Sequence, residues 1–200
     1  MNSTIPQPPR WATAALLTTL ALGLSAGRLA TTAAAHPAHP PVTAQGQSHG
    51  RQDTVIDRHA PVITRDDIFI RASLKQVWDV QTDVENWPSW QPDVNSVQRE
   101  DSGRLKPGSV FRWHVQGLDV TSTVKQVEPL RRLVWGGPAN GITAVHVWTF
   151  TPTRHGVLVH TEESWSGAPV EANIPYAQGA LDASLRGWLE NLKRTAEARS

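Results

Sequence analysis

The sequence predicts an α+β fold in which a curved antiparallel sheet wraps around one long C-terminal helix. Between Gly108 and Gly167, short turns separate strand-like runs that repeatedly place Trp at alternate positions. Alternate side chains of a strand share a face, so large rings collect on one side of the sheet. A C-terminal stretch then repeats apolar residues at helical spacing, as a helix that covers such a face would. Strands followed by one such helix are typical of an α+β arrangement.

The first strand and two short helices open the predicted domain. Residues 62–71 form the strand, and a helix follows because Ser73-Leu74-Lys75-Gln76 has the form of a capping box. Asp83 offers a second N-cap, and Pro88 and Pro92 keep the helix that it begins short.

Turn signals then separate a run of predicted strands. Gly117 divides one hairpin, Asn140-Gly141 marks a second within a turn of residues 136–141, and His155-Gly156 leads into the last strand. The strands are residues 95–100, 109–116, 118–127, 131–136, 143–151 and 157–165. The final helix begins near Pro175 and runs for about five turns. Its apolar stripe consists of Ala177, Leu181, Leu185, Trp188, Leu189, Leu192 and Ala196.

Composition divides the 200 residues into three parts. In residues 1–35, Arg10 precedes an apolar run and small residues follow it, which is the order of a secretory signal peptide. Residues 36–60, rich in Pro, His, Gln and Gly, predict a disordered linker, and residues 61–200 form one folded domain. We therefore expect an exported protein, periplasmic or extracellular. The alternative is an uncleaved N-terminal segment that anchors the protein in the membrane.

The composition also excludes several classes of function. The chain has no Cys, which removes disulfides, thiol catalysis and thiolate metal sites. Residues 61–200 contain 15 Lys and Arg and 16 Asp and Glu, so no basic surface for nucleic acid or an anionic membrane is expected. The His residues of the linker are taken as incidental, and neither a metal nor a cofactor is expected.

Five segments and the C-terminal helix, taken in order, resemble the SRPBCC superfamily. The segments are LKQVW at residues 74–78, ENWPSW at 85–90, GSVFRW at 108–113, LVW at 133–135 and VWTFTP at 147–152. The resemblance implies the helix-grip fold that START lipid-transfer domains, plant allergen-like proteins and polyketide cyclase/dehydrase-like proteins share. It also implies an apolar cavity between sheet and long helix, with the short helices and nearby loops at its mouth. Nothing in the sequence resembles the iron site of the oxygenase members.

The inward faces of the strands give the expected lining of that cavity. Phe111 and Trp113 share one face, as do His146 and Trp148. Trp87 and Trp90 lie in a Pro-bounded segment at the expected entrance. The expected ligand-binding residues are Trp87, Trp90, Phe111, Trp113, Trp135, His146, Trp148, Glu163, Trp165 and, near the mouth, Tyr176. The alternative is that the Trp side chains simply fill the core.

His146 and Glu163 are the candidates for acid–base chemistry. A neutral His in apolar surroundings has a lowered pKa and can move protons near neutral pH. Glu163, if it points inward, needs a partner such as Arg112 or His146, and a bulge would place Glu162 inward instead. The alternative for His146 is a core residue that bonds a hydroxyl group or water.

These observations favour a binding protein over an enzyme. The expected partner is a hydrophobic small molecule or lipid, with membrane contact only through the N-terminal segment if it stays uncleaved. One alternative is a polyketide cyclase/dehydrase-like enzyme that uses His146 or Glu163 as acid and base. Another is an interaction module of the cell envelope, which would have a filled core.

Overall fold

One antiparallel sheet of seven strands organises residues 54–199, the part of the chain that the computed structural model describes. Its strands are β1 Val62–Ile70, β2 Val94–Arg99, β3 Val110–Val115, β4 Leu118–Glu128, β5 Arg132–Ala139, β6 Ile142–Thr153 and β7 Gly156–Ser166. The predicted signal peptide of residues 1–35 and residues 36–53 of the predicted linker lie outside the described residues.

The strand order is β1-β7-β6-β5-β4-β3-β2, and each neighbouring pair is antiparallel. From β2 to β7 the chain runs as a meander. Since β1 pairs with the last strand, β1 and β2 lie at opposite edges, and the short helices between them carry the chain across the sheet. The predicted α+β helix-grip fold is confirmed.

The helices of the described residues are α1 Leu74–Thr82, a 3₁₀ helix Val84–Ser89, α2 Ala168–Glu171 and α3 Ile174–Ala198. The predicted capping box begins α1: Ser73 Oγ accepts from the Gln76 N–H at 3.2 Å, and Gln76 Oε1 accepts from the Ser73 N–H at 3.0 Å. The second short helix is a 3₁₀ helix that contains Pro88, and short 3₁₀ turns of this kind are common connectors. α3 is longer than predicted, with 25 residues.

β5 continues through residues 136–138, where the sequence predicts a turn. Only Asn140 and Gly141 turn the chain, with φ angles of 50° and 82°, as a two-residue hairpin turn requires. A Cβ atom at Gly136 or Gly137 would lie 2.3 Å from a backbone oxygen of a neighbouring strand. The two glycines are therefore strand residues that permit a close approach, which composition alone does not distinguish from a turn.

The core lies between the sheet and the helices α1 and α3. The apolar stripe predicted for α3 is its buried face, which consists of Ala177, Leu181, Leu185, Trp188, Leu189, Asn191, Leu192 and Ala196. From α1, Trp78 packs edge-on against Phe150 of β6, with ring centroids 5.3 Å apart. None of the helices within residues 54–199 has the length and apolar character of a membrane span.

The opposite face of the sheet carries a smaller apolar cluster that the start of the described chain covers. Ile56 is 4% exposed and packs with Val134 of β5 and Val147 of β6. The Asp57 N–H donates to Ser164 Oγ of β7 at 3.0 Å. Composition assigns these residues to the linker, yet residues 56 and 57 are attached to the sheet.

Candidate functional site

Aromatic side chains occupy the space between the sheet and α3. We define the aromatic cluster as Trp87, Phe111, Trp113, Trp135, Trp148 and Trp188. Trp87 is fully buried at its centre, and its ring centroid lies 4.9 Å from that of Trp188 and 5.5 Å from those of Phe111 and Trp113. Edge-on pairs of this kind add to the stability that burial gives. At its centre the cluster is filled by ring-to-ring contacts.

The 3₁₀ helix directs Trp87 into the core, whereas the sequence placed it at the entrance. Its indole N–H donates to the Gln81 backbone oxygen at 3.0 Å. The side-chain oxygen of the same Gln81 accepts from the Trp188 N–H at 3.1 Å, so one residue of α1 holds two indoles. Trp90, at the end of the segment, is half-buried with its ring 6.0 Å from that of Trp188.

Three buried N–H donors in and beside the aromatic cluster have no hydrogen-bond partner within residues 54–199. They are Trp148 Nε1, Trp90 Nε1 and Gln81 Nε2. An unpaired buried donor costs about 1–3 kcal/mol, and such groups are rare in folded proteins. A molecule that brought hydrogen-bond acceptors to these positions would satisfy them.

His146 and Glu163 face each other across β6 and β7, next to the aromatic cluster. They are directly paired in the sheet register, and His146 Nδ1 lies 3.1 Å from Glu163 Oε2. The other ring nitrogen, Nε2, lies 2.8 Å from Thr161 Oγ1, and Glu163 Oε1 accepts from the Trp165 N–H at 2.7 Å. The His146 ring centroid is 4.9 Å from those of Trp135 and Trp148. Glu163, not Glu162, therefore faces inward, with His146 as its partner.

Burial acts on the two titratable groups in opposite directions. It lowers the pKa of His146 to about 3. It raises the pKa of Glu163 to about 7, although the hydrogen bond from Trp165 works against this rise. Between these values Glu163 is protonated and His146 is neutral, because each charged form is poorly solvated inside the protein.

The hydrogen bonds fit this protonation state. His146 Nδ1 faces Glu163 Oε2 at 3.1 Å, the His146 Nε2–H donates to Thr161, and the Thr161 hydroxyl donates to the Val147 carbonyl oxygen at 3.3 Å. The site thus places a protonated carboxyl group beside a neutral imidazole, the two kinds of group that acid–base chemistry uses. No group of three or more His, Asp or Glu side chains able to hold a metal ion occurs in the described part of the chain.

The remaining expected residues lie at the margin of the site. Trp165 is half-buried and packs beside Val62 and Val170, while its N–H reaches Glu163. Tyr176, in the first turn of α3, is 57% exposed and lies outside the aromatic cluster.

Buried polar residues that the sequence did not single out complete the site. Asn191 of α3 donates to Gln91 Oε1 at 2.8 Å, and Gln91 donates to the Trp188 backbone oxygen at 3.4 Å. Thr161 lies two residues before Glu163 on β7, so strand alternation predicts that both side chains point to the same, inner face. The sequence carries no signal for the roles of Gln91 and Asn191, because these two residues pair with each other across 100 residues of sequence.

The comparison with protein families gives a match that covers most of the described residues. The model described as polyketide cyclase/dehydrase and lipid transport matches residues 61–197. The comparison with curated proteins finds no significant match.

Several solved structures share the fold. A START superfamily protein from Mycobacterium smegmatis has a TM-score of 0.59 at 16% identity, over 69% of this chain and 99% of that chain. A hypothetical protein from Helicobacter pylori has a TM-score of 0.61 at 21% identity, over 70% and 91%. The Zhui aromatase/cyclase from a Streptomyces species has a TM-score of 0.58 at 18% identity, over 68% and 94%. At these identities the likeness shows the fold alone.

Proposed function

Because the chain belongs to the polyketide cyclase/dehydrase and lipid transport family, we propose that its domain binds a hydrophobic small molecule or lipid between the sheet and α3. The family match also confirms the resemblance predicted from the sequence. The observation that carries the proposal is the unpartnered buried donors of Trp148, Trp90 and Gln81 beside apolar rings. Burial of apolar ligand surface supplies about 25 cal/mol per Å². Acceptors on the ligand would meet the donors and fix its orientation.

Entry of a ligand requires the 3₁₀ helix to move, because the rings of the aromatic cluster contact one another. The 3₁₀ helix is the element best suited to this, since its hydrogen bonds have poorer geometry than those of an α-helix. Trp90 directly follows the 3₁₀ helix, is half-buried and lies against Trp188. Displacement of Trp90 would uncover Trp188, whose N–H donates to the side chain of Gln81, the residue that carries one of the unpartnered donors.

Native mass spectrometry of the protein purified from its own host tests the proposal directly. We expect a reproducible stoichiometric adduct that organic solvent extracts. An adduct-free mass, together with no thermal shift across a panel of lipids and planar aromatic compounds, would contradict ligand binding and favour the interaction module.

The Trp148→Phe variant tests the role of the unpartnered donor. It keeps a ring in place but removes Nε1, so ligand affinity is expected to fall about tenfold with little change in the protein's own hydrogen bonds. The matched control is Trp113→Phe, whose N–H already donates to Ser122 Oγ at 3.1 Å. The control removes a similar part of the ring surface but no unpartnered donor, so its loss of affinity is expected to be much smaller, as isothermal titration with the extracted ligand would show.

Export is the second part of the proposal, and the order of Arg10, apolar run and small residues in residues 1–35 supports it. Cell fractionation with mass analysis of the mature N terminus tests it. A protein that starts near residue 27 or 36 in the periplasm or medium agrees with cleavage. Recovery of the intact chain in the membrane fraction favours the anchored form, and recovery of the intact chain in the cytoplasm contradicts export.

Acid–base catalysis is a second candidate, because Glu163 Oε2 and His146 Nδ1 lie 3.1 Å apart in apolar surroundings. In a dehydration, neutral His146 would take a proton from carbon while protonated Glu163 gave one to the departing hydroxyl group, which leaves as water. Glu163→Gln would then abolish turnover of a cyclisable polyketide mimic and leave its binding intact. Equal turnover by the variant and the wild type would exclude this role.

A further inference from the structure

A second concave site lies between α1, the loop from β2 to β3 and the turn from β4 to β5. This groove encloses about 550 Å³, a volume common for small-molecule sites. Trp78, Leu105 and Val127 give it an apolar floor. None of the six residues of the aromatic cluster lines it, so it is a separate surface.

Cationic side chains outnumber anionic ones around the groove. The cations are Lys75, Arg99, Arg104 and Arg199, and the anions are Asp79 and Asp83. Lys75 is paired with Asp79. The guanidinium groups of Arg104 and Arg199 have no hydrogen-bond or ion-pair partner among the described residues. Within residues 54–199, the unpaired guanidinium groups of Arg104 and Arg199 both line the groove and therefore favour a negatively charged occupant.

Arg99 gives the wall of the groove a largely buried charged side chain that hydrogen bonds hold in place. Its side chain is only 8% exposed, its Nη1 donates to the Gly103 carbonyl oxygen at 2.6 Å, and its Nη2 donates to Asp101 at 2.8 Å. Asp101 also accepts from the Ser109 hydroxyl at 2.7 Å. These bonds fix the loop that presents Arg104. The Arg99 Nε–H has no partner within residues 54–199, which leaves a buried cation with an unused donor at the wall of the groove.

Leu130 adds an exposed apolar side chain to the rim. It is 39% exposed and has a φ angle of 63°, in the turn between β4 and β5. A branched side chain is unfavourable at positive φ, where Gly or Asn is usual. The turn thus accepts backbone strain at the one place where Leu130 extends the apolar floor of the groove.

We propose that this groove binds an amphipathic anion, a single carboxylate or phosphate on an apolar body. The headgroup lies against Arg104 and Arg199, and the apolar body covers Trp78, Leu105 and Leu130. The occupant is a free molecule of this class rather than a membrane surface, because the apolar floor is recessed behind the charged rim. The inference does not depend on ligand binding at the aromatic cluster.

Isothermal titration with monomeric dodecanoate tests the proposal on the full chain. Dodecanoate is expected to bind, and dodecanol and dodecyltrimethylammonium at least tenfold more weakly. Arg104→Glu is expected to weaken dodecanoate binding at least tenfold. The matched control, Arg154→Glu, changes an exposed Arg between β6 and β7 that does not line the groove, and it leaves binding unchanged.

Leu130→Gly separates a binding role from a structural one. Gly relieves the positive φ, so thermal stability is kept or raised, while dodecanoate affinity falls several-fold. Any of three results would overturn the proposal. Dodecanol could bind as tightly as dodecanoate, or Arg154→Glu could weaken dodecanoate binding as much as Arg104→Glu does. The third result is that the protein binds only phosphatidylglycerol vesicles. If Trp148→Phe weakens dodecanoate binding and neither Arg104→Glu nor Leu130→Gly does, the anion lies in the aromatic cluster. That result refutes the groove and supports the proposed function.

Discussion

The residue pair of His146 and Glu163 shows how a buried acid and base can coexist without a net charge. A charged carboxylate or imidazolium in this position would lose its hydration, which is why burial shifts the two pKa values in opposite directions. Thr161 bonds His146 Nε2, Trp165 donates to Glu163 Oε1, and the remaining nitrogen and oxygen of the pair lie 3.1 Å apart. The pair is therefore compatible with the fold at mildly acidic pH.

This arrangement predicts that the pair adds no pH dependence to the free energy of unfolding between about pH 4.5 and 6.5, the ordinary pKa values of Glu163 and His146. In that range the unfolded chain holds one proton on His146, and the folded pair holds one on Glu163. Above it the unfolded chain loses its proton while folded Glu163 keeps one until about pH 7. Below it the unfolded chain gains a proton that the folded pair accepts only near pH 3. The contribution of the pair to the free energy of unfolding therefore falls on both sides of this pH range.

Glu163→Gln should remove this pH-independent range, because His146 then titrates alone. Its lowered pKa costs stability as soon as the pH falls below about 6.5, by about 1.4 kcal/mol for each pH unit until about pH 3. Urea unfolding of both proteins at half-unit pH steps measures the difference, in which the other titratable groups cancel. Parallel profiles would show that burial does not raise the pKa of Glu163.

The inward direction of His146 and Glu163 could be predicted from alternation, but their contact could not. Direct pairing needs the register of β6 on β7, which the turn at Arg154 and His155 sets. From the sequence, that turn is predicted one residue later, at His155-Gly156. A turn there would change the cross-strand partner of every residue in β6 and β7. The central position of Trp87 was not predictable either, since it depends on a hydrogen bond to a backbone oxygen of α1.

At the scale of elements, the strands and long helix were predictable because each has one buried face and hence a clear period. β5 was the exception at its C-terminal end. Its residues 136–138 have the composition of a turn, and the reason for the two glycines lies in the strands on either side. A constraint between neighbouring elements leaves no periodic signal in the sequence of one of them.

Gly136→Ala and Gly137→Ala should each destabilise the fold by roughly 2 kcal/mol or more, because the new Cβ atom would lie 2.3 Å from a backbone oxygen that a sheet ladder holds in place. Gly179→Ala is the matched control: it lies in α3 with open space around the Cβ position, and Ala favours a helix by about 1 kcal/mol. Chemical denaturation should therefore show opposite signs. Stability unchanged by either strand substitution would contradict the close approach.

For the whole molecule, the family match begins at residue 61, whereas the packed chain begins earlier. The sheet has one face against α1 and α3 and would otherwise expose Val134 and Val147 on the other. Ile56 covers both, and the backbone of Thr54 accepts from the Arg132 Nη2 donor of β5 at 2.9 Å. A disordered linker was predicted for these residues from composition, because an isolated Ile among polar residues gives no period.

Ile56→Ala should accordingly destabilise the domain by about 2 kcal/mol, as truncation of a buried aliphatic side chain does. Val55→Ala is the control, because Val55 is 46% exposed and should change the free energy of unfolding by less than about 0.5 kcal/mol. Because the cluster lies on the face of the sheet away from the aromatic cluster, ligand affinity should stay unchanged in both variants at temperatures where they are folded. Equal stability of Ile56→Ala and the wild type would mean that the folded unit begins at β1, and that residues 54–60 only lie along its surface.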